Sequence, residues 1–136
     1  MKDICAALVG HLGQQQAITN LVKERIYPVI LTQSAPLPAI VYSPVLANYD
    51  SALQGDTGFV RQTIQFVCHG KTFKMARELS RLVKTTLQDF HGDMDGLHIE
   101  AVFIKSDIEY NGNSQTKFDT EEFMESIEFE FHYNEK

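Results

Sequence analysis

The sequence contains no tryptophan and no long apolar run, and it has only two cysteines. A helix that spans a membrane needs roughly 18 or more consecutive apolar residues, and no stretch of this chain approaches that length. The first residues also lack the apolar segment and cleavage site of an export signal, and an acid already stands at Asp3. These absences predict a cytosolic protein that does not cross a membrane.

The two cysteines, Cys5 and Cys68, are far apart in the sequence, and both have apolar neighbours. Disulfides are typical of exported proteins, and nothing in the chain indicates export. We therefore expect two buried free thiols rather than a disulfide.

Basic residues are outnumbered, because 12 Lys and Arg stand against 18 Asp and Glu, for a net charge of −6. Proteins that bind nucleic acids usually need a net basic footprint, so this balance argues against specific nucleic-acid binding and leaves room only for a local basic patch. A chain of 136 residues can form one core but falls short of two ordinary domains of roughly 100 to 200 residues each. We expect a single domain over residues 1–136.

A phosphate-binding loop is suggested by Gly70-Lys71-Thr72, which stands between a predicted strand and a predicted helix. Such a loop needs another glycine five residues before its second glycine, and that position holds Gln65. An exposed lysine followed by a threonine helix cap explains the tripeptide instead. The sequence therefore predicts no nucleotide site.

Metal and nucleophile motifs are also absent from the sequence. The histidines lack the short spacings of metal ligands, and if His98 and His132 face each other across two strands, we expect a solvated pair rather than a metal site. Cys68 and His69 are neighbours in a predicted strand, so they point to opposite faces and cannot act as nucleophile and base. We expect no catalytic residues, no cofactor and no metal.

The apolar periodicity predicts two N-terminal helices, a strand, a second strand, a long helix and two final strands. This order favours an α+β fold, with one four-stranded, largely antiparallel sheet and the N-terminal and central helices packed on one face. Two polar segments, Asn48 to Gly58 and Asn111 to Thr120, are expected to be long mobile loops. The predicted elements are Met1 to Leu12, Ala17 to Arg25, Ala39 to Tyr42, Phe59 to His69, Thr72 to Phe90, Leu97 to Tyr110, and a strand from about Glu121.

The clearest charged features are a basic face of the long helix and an acidic face of the last strand. Four cations lie within about 80° of one another on the helical wheel; we call them the basic stripe: Lys74, Arg77, Arg81 and Lys84. Carboxylates of the last strand alternate with its apolar residues; we call them the acidic row: Glu122, Glu128 and Glu130. Each feature is either a solvated face or an interface.

Four segments, in this order and spacing, resemble the tail-completion or tail-terminator proteins of long-tailed phages. They are Arg25-Ile26-Tyr27-Pro28, Leu37-Pro38-Ala39-Ile40-Val41-Tyr42, Arg61-Gln62-Thr63-Ile64-Gln65-Phe66, and a helix that begins at Thr72-Phe73 and contains Ala76. The resemblance covers roughly Leu21 to Tyr133. It implies a non-enzymatic virion protein that closes into a ring, commonly a hexamer, on the end of the tail tube. Its implied partners are further copies of itself, the tail-tube protein and the head connector protein.

Two other classes stay open from the sequence. The chain could be another head-to-tail adaptor or minor tail protein, or a small ligand-binding or enzymatic α+β domain, which would show a concave pocket with convergent polar groups. If the chain is a tail-completion protein, we hypothesise that the basic stripe contacts the acidic row across a subunit boundary or a tail-tube contact. Subunits that associate head to tail use two different patches of each subunit, so complementary charges on separate elements can meet. We also hypothesise that the two polar loops become ordered on docking.

Overall fold

The computed structural model describes residues 3–31, 36–52, 55–111 and 123–134. In this part of the chain no helix is both long and apolar enough to cross a membrane. The elements are α1 (Ile4–Gly13), α2 (Gln16–Val22), β1 (Ile26–Pro28), β2 (Ala39–Ala52), β3 (Gly55–Gly70), α3 (Phe73–Leu87), β4 (Gly92–Met94), β5 (Leu97–Asn111) and β6 (Phe123–Asn134).

The strands form one six-stranded sheet in the order β1-β2-β3-β6-β5-β4. Its four central strands are the predicted ones, and they pair antiparallel throughout. The predicted number of four strands was wrong, because β1 pairs parallel with β2 and β4 pairs antiparallel with β5. Each of these edge strands has three residues, which is too short to show an alternating pattern. The α+β class is confirmed, with a mixed sheet in place of a four-stranded one.

The segment from Asn48 to Gly58, predicted as a loop, is instead mostly a hairpin. β2 continues to Ala52 and β3 begins at Gly55, with Asn48 opposite Arg61. The prediction failed because ladder hydrogen bonds join backbone groups and do not require apolar side chains. The other predicted loop, Asn111 to Thr120, lies outside the described residues after Asn111, the last residue of β5.

One buried apolar cluster joins the three helices to one face of the sheet. Its largest side chains include Phe66 of β3 and Phe129 and Phe131 of β6. The ring centroid of Phe66 lies 5.8 Å from that of Phe129 and 6.5 Å from that of Phe131. Burying each such ring contributes about 1.5–3 kcal/mol, so these aromatic contacts hold β3 and β6 against the helices.

The turn between β3 and α3 fixes the position of the long helix. The side chain of Thr72 caps α3, since its Oγ1 accepts a hydrogen bond from the Met75 backbone N–H at 3.1 Å. Gly70 lies so close to the helix that a Cβ at this position would stand 2.6 Å from the Ala76 nitrogen. With Lys71 exposed between them, the predicted explanation of Gly70-Lys71-Thr72 as a turn and a helix cap is confirmed.

Candidate interaction surface

The basic stripe runs along the side of α3, and its four cations have different surroundings. Lys74 and Arg81 are exposed, whereas Arg77 and Lys84 are half-buried towards the sheet. Residues on one helix face recur every three or four positions, so the apolar side of α3 anchors the stripe at a fixed height above the sheet. That anchored side includes Ala76, Leu79, Val83 and Leu87.

Two cations of the stripe form ion pairs within the chain. The Lys84 ammonium contacts the Asp107 carboxylate on β5, and its Nζ lies 3.5 Å from Oε2 of Glu125 on β6. Arg77 Nη1 lies 3.6 Å from the other Glu125 oxygen, Oε1. Arg77 and Lys84, the inner half of the stripe, therefore form ion pairs inside the subunit. Within the described ranges Lys74 and Arg81, the outer half, have no ion pair.

Glu125 is the central group of this charged cluster, and only 2% of its side chain is exposed. Burial raises the pKa of its carboxyl, and the neighbouring Asp107 carboxylate raises that pKa further. The pKa of Asp107 is lowered, because Glu125 and Lys84 outweigh the opposing effect of burial. The cluster thus holds one carboxyl that favours its proton beside one that favours its charge.

The sequence analysis missed Glu125, although the sequence contains a signal for it. Side chains alternate along a strand, and Glu125 falls in the apolar register of β6 between Phe123 and Ile127. A carboxylate in that register must face the helices, and α3 offers cations at the matching position. An acidic residue at an apolar position of the alternating pattern therefore predicts the buried cluster, which the alternation alone does not.

The acidic row lies on the other face of β6. Glu130 Oε1 lies 2.8 Å from His132 Nε2, and its other oxygen lies 3.7 Å from Lys105 Nζ. The contact with His132 lowers the pKa of Glu130. Glu128 is half-buried and has no ion pair among the described residues, and Glu122 lies outside them. Of the three predicted carboxylates, the structure thus leaves Glu128 available to a partner and pairs Glu130.

A groove of about 490 Å³ lies beside α3 and extends from the first turn of the helix along the basic stripe. Phe73 is 58% exposed, and its ring centroid lies 6.4 Å from that of Phe123. The guanidinium carbon of Arg77 lies 5.8 Å from the centroid of the Phe73 ring. The described lining of the groove combines an apolar wall with cations. Its lining residues are Phe73, Lys74, Arg77, Glu78, Arg81 and Leu82.

The predictions for the histidines and cysteines can be compared with their positions. His98 and His132 are not opposite each other, since His132 pairs with Ala101 and the His98 ring contacts Asp93 at 3.7 Å. Over the described ranges, no three His, Cys, Asp or Glu side chains are placed to hold a metal ion. Both cysteines are free; Cys68 is buried, which raises the pKa of its thiol, and Cys5 is half-buried.

Comparison with known proteins shows a family and similar folds. The family described as "Tail completion protein gp17" matches residues 6–117. A chain of the solved structure "Virion of native gene transfer agent (GTA) particle" superposes with a TM-score of 0.68 and 13% sequence identity, over 96% of this chain and 94% of that chain. At this identity the likeness shows the fold alone. No curated protein matches the sequence.

Proposed function

Since the chain belongs to the family of tail completion proteins, we infer that it closes the end of a phage tail tube and joins it to the head connector as one subunit of a ring, commonly a hexamer. Membership of the family makes it a structural protein of the virion tail. The match over residues 6–117 is the observation that carries the inference. The partners are further copies of the chain, the tail-tube protein and the head connector protein.

The outer half of the basic stripe supports a docking role. Lys74 and Arg81 are exposed beside Phe73, so two cations and an aromatic ring form one surface on α3. Surfaces that combine cations with an exposed aromatic ring are typical of contacts that electrostatics orients and apolar burial stabilises. This surface contacts carboxylates of a neighbouring subunit or of the tail tube, with Glu128 as the candidate on a second copy.

Arg77 and Lys84 also have a role within the subunit. Because both contact buried Glu125, reversing either charge would disturb folding as well as docking. A test of the interface must therefore use Lys74 and Arg81. Among exposed lysines elsewhere, Lys23 and Lys71 provide a charge-matched control pair.

The experiment joins purified heads to purified tails that lack this protein. Added wild-type protein should restore joined particles, counted by electron microscopy and by infectivity. Lys74→Glu with Arg81→Glu should reduce joining by roughly ten-fold or more, as removal of central interface cations does. Lys23→Glu with Lys71→Glu should join as the wild type does.

Two results would overturn the proposal. If wild-type protein leaves heads and tails separate, the chain is not the joining protein, and an adaptor or minor tail role takes its place. If the Lys74 and Arg81 variant joins particles as well as the control variant does, the stripe is a solvated face.

A further inference from the structure

The outer edge of β2 is open along most of the strand. β1 covers only Ile40 to Tyr42, where the Val29 backbone N–H makes the last contact by donating to the Tyr42 carbonyl at 2.7 Å. From Ser43 onward, no strand in the described part of the chain pairs with this edge. Open edges present unpaired N–H and C=O groups and attract further strands.

A strained turn at the end of β1 leaves this edge open. Val29 has a φ of 65°, and the Ile30 N–H donates to the Pro28 carbonyl at 2.6 Å, which is the rarer and strained form of the three-residue γ-turn. A β-branched residue at positive φ is an outlier. The turn directs the chain away from β2 where further pairing would otherwise continue.

Apolar side chains are exposed along and beside the open edge of β2. Val45, Leu46 and Tyr49 are 55%, 52% and 61% exposed, and Val29 and Ile30 at the end of β1 are 69% and 74% exposed. Single exposed apolar residues are ordinary, but a group of five along one strand edge marks an interaction site. Segment 43–49 carries no charged residue, so an added strand would meet no like charge there.

The opposite end of the same sheet has a second open edge. β4 covers β5 only from Leu97 to Ile99, and the Val102 carbonyl then accepts the Asp89 N–H at 3.3 Å. Beyond Val102 no described strand pairs with the outer edge of β5, the edge away from β6, and Phe103 is 50% exposed. Each end of the sheet therefore has one short covering strand, one long open stretch and exposed apolar surface.

The strand directions make these two edges complementary. Three antiparallel steps connect β2 to β5, so the two strands run in opposite directions. A second copy in the same orientation would bring its β5 antiparallel to β2. Both open stretches are C-terminal parts of their strands, so β1 of one copy and β4 of the other would lie at opposite ends of the junction and would not compete for one edge.

We propose that the open edge of β2 binds the open edge of β5 of a second copy, so that the sheets of neighbouring subunits continue into one another. This contact is head-to-tail, which is the kind that closes a ring. Pairing of β2 with β2 would leave the β5 edge and Phe103 uncovered, whereas pairing of β2 with β5 covers both edges. The proposal rests on the self-association in the proposed function and names its surface.

The experiment uses two full-length variants, each blocked at one edge. Leu46→Lys with Tyr49→Lys places charges on the β2 edge, and Phe103→Asp places one on the β5 edge, which is how natural edge strands prevent pairing. Circular dichroism and thermal melting first establish that each variant is folded. Light scattering and analytical ultracentrifugation then measure mass over a range of concentrations.

Wild-type protein should form oligomers, and each variant alone should associate more weakly by roughly ten-fold or more. An equimolar mixture of the two variants should form a one-to-one complex and nothing larger, because the mixture retains one intact β2 edge and one intact β5 edge. Ala17→Asp is the control, since it places the same negative charge at an exposed position of α2 that belongs to neither strand.

Three outcomes would overturn the proposal. They are wild-type protein that stays monomeric at every concentration, folded variants that form no mixed complex, and an Ala17→Asp variant that loses association as fully as the edge variants do. None of them affects the assay that joins phage heads to phage tails, because that assay counts whole particles. Failure of edge pairing is therefore distinguishable from failure of the tail role.

Discussion

Lys84 and Glu125 join the long helix to the last strand, with the ammonium nitrogen 3.5 Å from the carboxylate oxygen. Exposure is 23% for the Lys84 side chain and 2% for that of Glu125. The pair therefore extends from the surface into the interior, and the Lys84 cation provides a charge partner for the buried Glu125 carboxylate. Removing the buried member or its partner should have quite different effects from changing an exposed cation of the same helix.

Lys84→Met should lower the free energy of unfolding by about 1–3 kcal/mol, because it leaves Glu125 and Asp107 without their common cation in a site that water partly screens. Urea denaturation followed by circular dichroism measures the change. Arg81→Met, on the exposed side of the same helix, should stay within about 0.5 kcal/mol of wild type. Equal losses in both variants would mean that the cluster does not stabilise the fold.

The pH dependence of stability should reveal the buried carboxyl. The pKa of Glu125 is raised above its ordinary value of 4.5, so the folded chain keeps this proton at pH values where the unfolded chain has lost it. Stability from this group therefore falls as pH rises from 4.5 through the raised pKa. Asp107 and Glu130, whose pKa values are lowered, act in the opposite direction and lose their contribution as pH falls.

Glu125→Gln isolates the Glu125 contribution, because glutamine does not titrate. The stability of this variant relative to wild type should increase as pH rises from the ordinary carboxyl range towards neutrality. Urea denaturation at a series of pH values tests this. Curves that stay parallel for the two proteins would show that Glu125 titrates alike in the folded and unfolded chain.

Two glycines should respond to alanine in opposite directions. Gly70→Ala should destabilise the fold by about 1–3 kcal/mol, because the added Cβ would stand 2.6 Å from the backbone nitrogen of Ala76 and would push β3 away from α3. Gly13→Ala, at the end of α1, meets nothing within 4 Å and should stabilise by up to about 1 kcal/mol. Thermal melting of the two variants compares them directly, and a stable Gly70→Ala protein would contradict the close packing of this turn.

The strained turn at Val29 should relax when asparagine replaces valine. Asparagine tolerates positive φ, so Val29→Asn should stabilise the chain by about 1 kcal/mol. Ile30→Asn replaces an equally exposed neighbour that has no positive φ, and it should give no such gain. Thermal melting at a concentration that keeps both variants monomeric makes the comparison. A gain in both variants would assign the effect to lost apolar exposure instead of relieved strain.

The central strands and α3 were predictable because each is long enough to repeat its pattern several times. In β6 the alternation around Phe129 and Phe131 fixes which face meets the helices, and in α3 the spacing of Leu79, Val83 and Leu87 does the same. β1 and β4 were not predictable, since three residues carry no period and their pairing depends on the neighbouring strand. Local patterns identify elements, whereas edge pairing is a property of the assembled sheet.

The candidate surface was predictable in part for a similar reason. Helical spacing placed the four cations of the stripe together, but it could not show that Arg77 and Lys84 are drawn inward by one buried acid on a strand far along the sequence. Side-chain reach brings that acid to them, and sequence spacing does not encode it. Phe73, which lines the groove, likewise contacts Phe123, which belongs to another element.

The hairpin formed by β2 and β3 extends beyond the rest of the sheet. Pairing between β3 and β6 begins at Phe59, so in the described chain the stretch from Gly55 to Gly58 has β2 as its only neighbouring strand. The three helices all lie outside that stretch. A change of chain length in this stretch would therefore shift the register of one strand pair and leave the pairing of β3 with β6 in place.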